Sequence, residues 1–134
     1  MKIEKRNGIR KGILAAVCLG LALLTGACAA GENKVPVIGI AQYGEHGSLD
    51  NCREGFLQGL AKAGLQEGKD YTLDVQNASF DDAVNNQIAQ KFSDENAALM
   101  VGIATPSAQA CFNAAEEKDI PVIFTAVTDP VGAK

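Results

Sequence analysis

The sequence has few of the residues and motifs that catalysis or metal binding requires. Its only histidine is His46, and no cysteine–histidine cluster has the spacing of a zinc site. It contains neither the strand–turn–helix motif of a nucleophilic serine nor a glycine-rich phosphate loop. We therefore expect no enzyme activity, no metal site and no cofactor.

Basic residues are also scarce once the amino-terminal end is set aside. The first 27 residues hold five of the 12 basic residues and one of the 16 acidic residues. The rest of the chain is left with 7 basic and 15 acidic residues, a formal charge of −8. An acidic surface of this kind argues against nucleic acid or anionic lipid as the main partner. This part of the chain has the size of one small domain.

The amino-terminal end has the three parts of an export signal: a basic head, a short apolar run and small residues. The apolar run is too short to cross a bilayer comfortably. The small residues lead to Cys28 and resemble a bacterial lipobox, although Thr25 stands where the commonest form has leucine. The resemblance implies a signal peptide over residues 1–27, a lipid on Cys28 that anchors the protein outside the bacterial cell, and a tether over residues 28–34. The alternative is an ordinary signal peptide cut after Ala30, which would discard Cys28.

Strand-like and helix-like runs alternate after residue 34. Near-continuous apolar runs predict buried strands over residues 35–41, 97–103 and 120–124. Residues 71–76 alternate between apolar and polar, which predicts an edge strand with one wet face. Such repeats predict an α/β fold with an open parallel sheet, strand order 2-1-3-4, and helices on both faces. The two cysteines of this part, Cys52 and Cys111, fall on helices on opposite faces, so both are expected to be free thiols.

Local signals predict how the three helices begin. Ser48 or Asp50 is expected to cap the first helix, and Asp81 to open the second. Thr105 is expected to cap the third helix, with Pro106 in its first turn. The second helix should bury a stripe of apolar residues at helical spacing: Val84, Ile88, Ala89 and Phe92.

Ligands of open parallel sheets bind beyond the carboxyl ends of the strands, near the point where the strand order switches. That point lies between the first and third strands, where the loops 43–48, 104–108 and 125–129 are expected to converge. The helix that begins in the second loop offers free backbone N–H groups and a positive dipole end, which suit a carboxylate. The candidate ligand-binding residues are Tyr43, Glu45, His46, Thr105, Pro106, Ser107, Ala108, Thr125, Thr128 and Asp129.

The same residues also have structural interpretations. Tyr43 or His46 could stack on a flat ligand, and Glu45 or Asp129 could meet an ammonium group. Alternatively, the first loop is only a polar surface turn and Thr105 is only a helix cap. Asp129 could equally turn the chain before the following proline.

Several runs of residues fall in the order seen in one family of proteins. The most specific are IATPSAQA at residues 103–110 and IPVIFTAVTDPVGA at residues 120–133. With the earlier runs 38–40, 55–60 and 88–92, they resemble bacterial ABC-transporter substrate-binding lipoproteins of the tryptophan- and tyrosine-associated group. The likeness covers roughly residues 36–133.

The resemblance implies a type I periplasmic-binding-protein fold. Two α/β lobes close on a small solute, which is passed to a membrane permease driven by an ATPase. It places the pocket at the three loops named above and implies a solute that is an aromatic or other amino-acid-like molecule. Family chains continue through a hinge and a second lobe, whereas this sequence stops at Lys134. Residues 35–134 are therefore expected to form a partial first lobe that binds only weakly, because half a clamp cannot enclose a ligand.

Two other functions fit parts of the pattern. A flavodoxin-like or receiver-like domain would share the strand order 2-1-3-4 and a ligand loop after the first strand. Against a receiver, the sequence Ile103-Ala104-Thr105 stands where an aspartate would end the third strand. A surface lipoprotein that binds no ligand is the other alternative.

Overall fold

The computed structural model describes residues 34–132. The predicted signal peptide, Cys28 and most of the tether lie outside the described residues. Strands and helices alternate along the described chain: β1 (Val37–Gln42), α1 (Gly47–Lys62), β2 (Thr72–Asn77), α2 (Asp82–Asp94), β3 (Leu99–Ile103), α3 (Thr105–Ala115) and β4 (Val122–Thr125).

The four strands form one sheet with the order β2-β1-β3-β4, and all three neighbouring pairs are parallel. Central β1 is buried over almost its whole length, as its apolar sequence requires. The predicted α/β fold, the parallel sheet and the strand order are thereby confirmed.

The helices are divided between the two faces of the sheet as predicted. Side chains of α1 such as Phe56 pack on an apolar cluster that contains Ile40 and Val101. The opposite face has its own cluster, in which Phe92 of α2 and Cys111 of α3 are fully buried. The described cysteines, half-buried Cys52 and buried Cys111, are both free.

Two strand glycines let the helices of the second face lie directly on the sheet. A Cβ atom at Gly39 would stand 2.6 Å from the ring of Phe92. A Cβ atom at Gly102 would stand 2.6 Å from the Cα atom of Ala108. Both distances are impossibly short, so α2 and α3 pack at a depth that only glycine permits at these strand positions.

Three predictions about burial are wrong. Ile123 and Phe124 of β4, expected in a buried strand, are 45% and 48% exposed, because β4 forms an edge of the sheet within the described residues. Val75 of β2 is exposed because it lies outside the cluster that α1 covers. In α2 the predicted Val84 is exposed, and the next residue, Asn85, is buried in its place.

Candidate functional site

Backbone hydrogen bonds join the carboxyl ends of the four strands, which together form the carboxyl edge of the sheet. The Tyr43 N–H donates to the Ile103 carbonyl at 3.2 Å, and the Ala104 N–H donates to the Thr125 carbonyl at 3.0 Å. The Phe80 N–H, after β2, donates to the Tyr43 carbonyl at 2.7 Å. The three predicted loops are therefore neighbours, and the loop between β2 and α2 joins them as a fourth.

The first loop ends at the start of α1, and His46 rather than Ser48 or Asp50 caps this helix. The Nδ1 atom of His46 accepts a hydrogen bond from the Ser48 N–H at 3.3 Å and lies 2.7 Å from the Ser48 hydroxyl. The predicted caps are wrong because the backbone is still extended at His46 and already helical from residue 47. Glu45 and His46 are both exposed at this edge.

A buried glutamine, which the sequence reasoning missed, holds the first loop against α1. Gln42 is 1% exposed, and its Nε2 atom donates to the Gly44 carbonyl at 2.8 Å and to Asp50 Oδ1 at 2.9 Å. Arg53 completes the network by donating to Gln42 Oε1 at 2.5 Å and to Asp50 Oδ1 at 3.2 Å. The start of the loop is therefore fixed by side-chain bonds as well as by the sheet.

Tyr43 is fixed by contacts with the neighbouring loop. Its hydroxyl donates to Asp82 Oδ1 at 2.8 Å, and this hydrogen bond raises the pKa of the Tyr43 phenol above its ordinary value. Its ring meets the ring of Phe80 edge to face, with centroids 5.7 Å apart and an interplanar angle of 88°. Phe80 was absent from the predicted site, and this residue is 56% exposed.

The second loop places the start of α3 at the switch point. Ala104 is the cap, with a positive φ of +81° and ψ of 157°, and no side chain caps this helix. The prediction that Thr105 caps α3 is therefore wrong, because Thr105 is already the first helical residue, whereas Pro106 lies in the first turn as predicted. The conformation of Ala104 is one that only glycine adopts without strain, and such strain, of about 1–3 kcal/mol, is characteristic of functional sites.

Two side chains of this helix start face inward. Ser107 is fully buried and its hydroxyl donates to Asn85 Oδ1 at 2.6 Å. The Asn85 Nδ2 atom donates to the Pro106 carbonyl at 3.0 Å. Ala108 is also buried, over Gly102. A ligand can therefore reach the half-buried Thr105 and Pro106, whereas Ser107 and Ala108 are covered. The Thr105 N–H has no acceptor within the helix.

The third loop follows β4. Thr125 is half-buried and Thr128 is exposed. Asp129 Oδ1 accepts hydrogen bonds from the backbone N–H groups of Val131 at 3.1 Å and Gly132 at 3.0 Å. Asp129 therefore has the turn-forming role that the sequence offered as the alternative, and its role in ligand binding stays a prediction.

Two grooves run along the sides of α3. One, of about 480 Å³, lies between α2 and α3, is lined by polar side chains such as Asp82 and Asn113, and includes Pro106. The other, of about 460 Å³, lies between α3 and β4, is mostly apolar, and includes Ala108. Over residues 34–132, no three His, Cys, Asp or Glu side chains are grouped so that they could hold a metal ion. In the same range, none of the helices has the length and apolar character needed to cross a membrane.

Comparison with known proteins connects this edge to a family. A family model described as ABC transporter substrate binding protein matches residues 37–134. The chain belongs to this family. It is a family of binding proteins rather than of enzymes, as the sequence predicted.

Relatives of known name agree with this assignment. The chain is 43% identical to the tyrosine-binding protein of Clostridioides difficile strain R20291, over 96% of this chain and 40% of that protein. The ligand-free, open structure of a substrate-binding protein with adhesive properties from Clostridium difficile matches with a TM-score of 0.70 and 47% identity, over 74% of this chain and 33% of that one. A Streptococcus pneumoniae domain solved in complex with L-Trp matches with a TM-score of 0.67 and 37% identity, over 73% of this chain and 32% of that one. The chain thus spans 40% of its curated relative and about a third of each solved structure.

Proposed function

We propose that this chain supplies the first lobe of a lipid-anchored, extracytoplasmic solute-binding protein that serves an ABC importer. The solute is an amino acid or a similar small zwitterion, with an aromatic side chain preferred. The observation that carries the proposal is this edge of the sheet, where the loops that follow the four strands lie side by side and α3 begins. Family membership and the names of the tyrosine-binding and L-Trp-bound relatives support it.

The carboxylate of the solute is assigned to the start of α3. The first-turn N–H groups are free of intrahelical acceptors, and the dipole of the helix is positive at this end. The Thr105 hydroxyl adds a donor at the half-exposed first position. Pro106 has no N–H group to offer and Ser107 is fully buried, so the Thr105 N–H is the first-turn donor assigned to the solute.

The ammonium group of the solute is assigned to the first loop. Glu45 is exposed beside His46 at the end of β1, one strand away from the start of α3. Adjacent strands lie about 4.8 Å apart, so protein groups in the loops that follow them are close enough to contact the carboxylate and the ammonium group of the same amino acid. The bound solute is then handed to the permease, whose transport the ATPase subunits drive.

An NMR titration of the isotope-labelled chain tests where the solute binds. L-tryptophan should shift the backbone amides of Thr105 and Ser107 together with those of the first loop. Tryptamine, which lacks the carboxylate, should leave the two α3 amides unchanged and serves as the matched control. If neither L-tryptophan, L-tyrosine nor L-leucine moves any amide in loops 43–48 or 104–108, the amino-acid assignment is wrong.

The lipid anchor has a separate test. Replacing Cys28 by serine should abolish acylation of the chain and its fractionation with membranes when it is expressed in a bacterium. Replacing Cys18, the other cysteine of the leader, by serine is the control and should leave both unchanged. Mass spectrometry of the mature amino-terminal peptide reads out the lipid directly, and a mature protein that begins after Ala30 would contradict the anchor.

A further inference from the structure

We propose that Phe80 is the residue that selects for an aromatic side chain in the solute. This inference rests on the proposed function and names one wall of the same site. Phe80 follows β2, and no sequence motif or predicted site residue pointed to it. Four structural observations carry the assignment: the exposure of the residue and three features that hold its ring in place.

The first observation is the exposure of the ring. Phe80 is 56% exposed and is the most exposed of the five phenylalanines. The exposed part of the side chain is apolar area that an aromatic solute could cover, and covering it would be stabilising. Its exposed surface lies at the carboxyl edge of the sheet, since its own N–H donates to the carbonyl of Tyr43 in the first loop.

The second observation is that the ring packs directly against the backbone of a glycine. A Cβ atom at Gly44 would stand 2.3 Å from two atoms of the Phe80 ring, so the ring rests directly on a residue that has no side chain. Gly44 is not among the glycines with positive φ. Its lack of a side chain therefore serves the contact with Phe80 and not an unusual backbone turn.

The third observation is that Tyr43 braces the ring from the side. The two rings meet edge to face, which is a favourable arrangement for aromatic pairs. Tyr43 itself is held by the hydrogen bond from its hydroxyl to Asp82. The Phe80 ring is thus preorganised although more than half of it is exposed.

The fourth observation is the backbone that presents the ring. Ser79 and Phe80 both have positive φ, +52° and +63°, a region that bulky residues rarely adopt. The Asn77 side chain supports this turn by accepting a hydrogen bond from the Ser79 N–H at 2.8 Å. A turn in the left-handed region thus places the aromatic ring on the outside of the fold.

The position of the ring fits the carboxylate assignment. Phe80 follows β2 and the start of α3 follows β3, with β1 between them. Two strand spacings amount to about 10 Å, which is close to the reach of an extended aromatic amino acid and well beyond that of alanine. A solute with its carboxylate at α3 would bring its side chain to Phe80 across the first loop.

The chain offers a clean assay because it contains no tryptophan. With excitation at the red edge of the indole absorption, all fluorescence comes from added L-tryptophan, and its change on titration with the full chain gives the affinity. Phe80→Ala should weaken L-tryptophan binding by about tenfold, the effect of losing an aromatic contact and its buried area. Phe112→Ala, which removes another exposed phenylalanine about two turns into α3, is the matched control and should not change it.

Two further variants keep the test decisive. Phe80→Leu retains apolar bulk over Gly44, so it reports the loss of the aromatic face even where the alanine variant folds poorly. Gly44→Ala leaves Phe80 in the sequence but displaces its ring, and it should weaken L-tryptophan binding as much as Phe80→Ala does. NMR titration with L-leucine should give nearly the same affinity for the original chain and these variants.

Each outcome has one meaning. Weaker L-tryptophan binding by the Phe80 and Gly44 variants, with unchanged L-leucine binding, supports the assignment. Unchanged L-tryptophan binding by Phe80→Ala overturns it and leaves the proposed function standing. If the original chain binds no amino acid at all, the proposed function fails and this inference fails with it.

Discussion

Replacing Asn85 by alanine would remove the side chain that joins α2 to the start of α3. Asn85 is 2% exposed, accepts a hydrogen bond from the Ser107 hydroxyl and donates one to the Pro106 carbonyl. The substitution would leave a buried hydroxyl and a carbonyl without their partner, and each unsatisfied group costs about 1–3 kcal/mol. We therefore expect the free energy of unfolding to fall by about 2–5 kcal/mol, a large part of the roughly 5–15 kcal/mol available to a domain.

Urea unfolding followed by circular dichroism measures this change. Asn86→Ala, at the exposed neighbouring position on the same helix, is the matched control and should stay within about 0.5 kcal/mol of the original chain. Ser107→Ala alone should cost about 1–3 kcal/mol, because it leaves Asn85 Oδ1 without its donor.

The double variant tests whether the two residues act through one contact. Because Asn85→Ala and Ser107→Ala each leave the other partner unsatisfied, the loss in the double variant should be clearly smaller than the sum of the single losses. Strict additivity, or a loss below about 0.5 kcal/mol for Asn85→Ala, would refute the reasoning. Either result would mean that the pair does not hold the start of α3 in place.

Three further predictions concern the fold around the site. Gly102→Ala should lower the free energy of unfolding in thermal melts by about 1–3 kcal/mol, because the new methyl group would meet the backbone of α3 at 2.6 Å, and no loss would contradict that close packing. Burial raises the pKa of Asp74, but hydrogen bonds from Lys91 and a neighbouring glutamine outweigh this effect, so the pKa lies below its ordinary value of 3.8. The stabilisation from these bonds is present above that pH and is lost as the pH falls below it. Asp74→Asn should therefore remove this acid dependence from urea unfolding measured over a pH series. Burial raises the pKa of the Cys111 thiol to about 12, so an alkylating reagent should label Cys111 far more slowly than half-buried Cys52 until urea unfolds the chain. Peptide mass spectrometry measures the two labelling rates, and equal rates in the folded chain would contradict this prediction.

The sheet could be predicted from sequence because the burial of each strand determines the apolar pattern of its own residues. Residues 35–41 and 97–103 are apolar without interruption, as strands covered on both faces must be, whereas residues 71–76 alternate. One alternating strand and right-handed crossovers are enough to set the order 2-1-3-4. Continuous apolarity misled only at β4, where Ile123 and Phe124 are exposed despite their composition.

The helix caps were harder to predict because they depend on backbone dihedrals more than on side-chain type. His46 caps α1 although Ser48 and Asp50 are the better capping residues by composition. Ala104 begins α3 with no side-chain acceptor at all, so Thr105 looked like the cap without being one. A shift of one or two residues at a helix start therefore changes which side chains face a ligand.

The missed residues of the site depend on contacts between distant parts of the chain. The Tyr43 hydroxyl lies 3.5 Å from the carbonyl of Phe80, 37 residues away. Asn85 and Ser107 are 22 residues apart. An exposed aromatic residue and a polar residue in the first turn of a helix carry no local signal. Only the folded arrangement shows that Phe80 lies at this edge and that Asn85 is buried.

The parallel orientation of the four strands has a consequence for how such a protein diversifies. Packing at Gly39 and Gly102 fixes the helices against the sheet in the interior. The residues proposed to contact a solute lie instead in the loops at the carboxyl ends of the strands. Mutations in those loops can alter solute preference with little cost to the layers beneath them. One scaffold can thus give rise to receptors for different nutrients, and changes at Phe80 and Gly44 are where a shift away from aromatic solutes would begin.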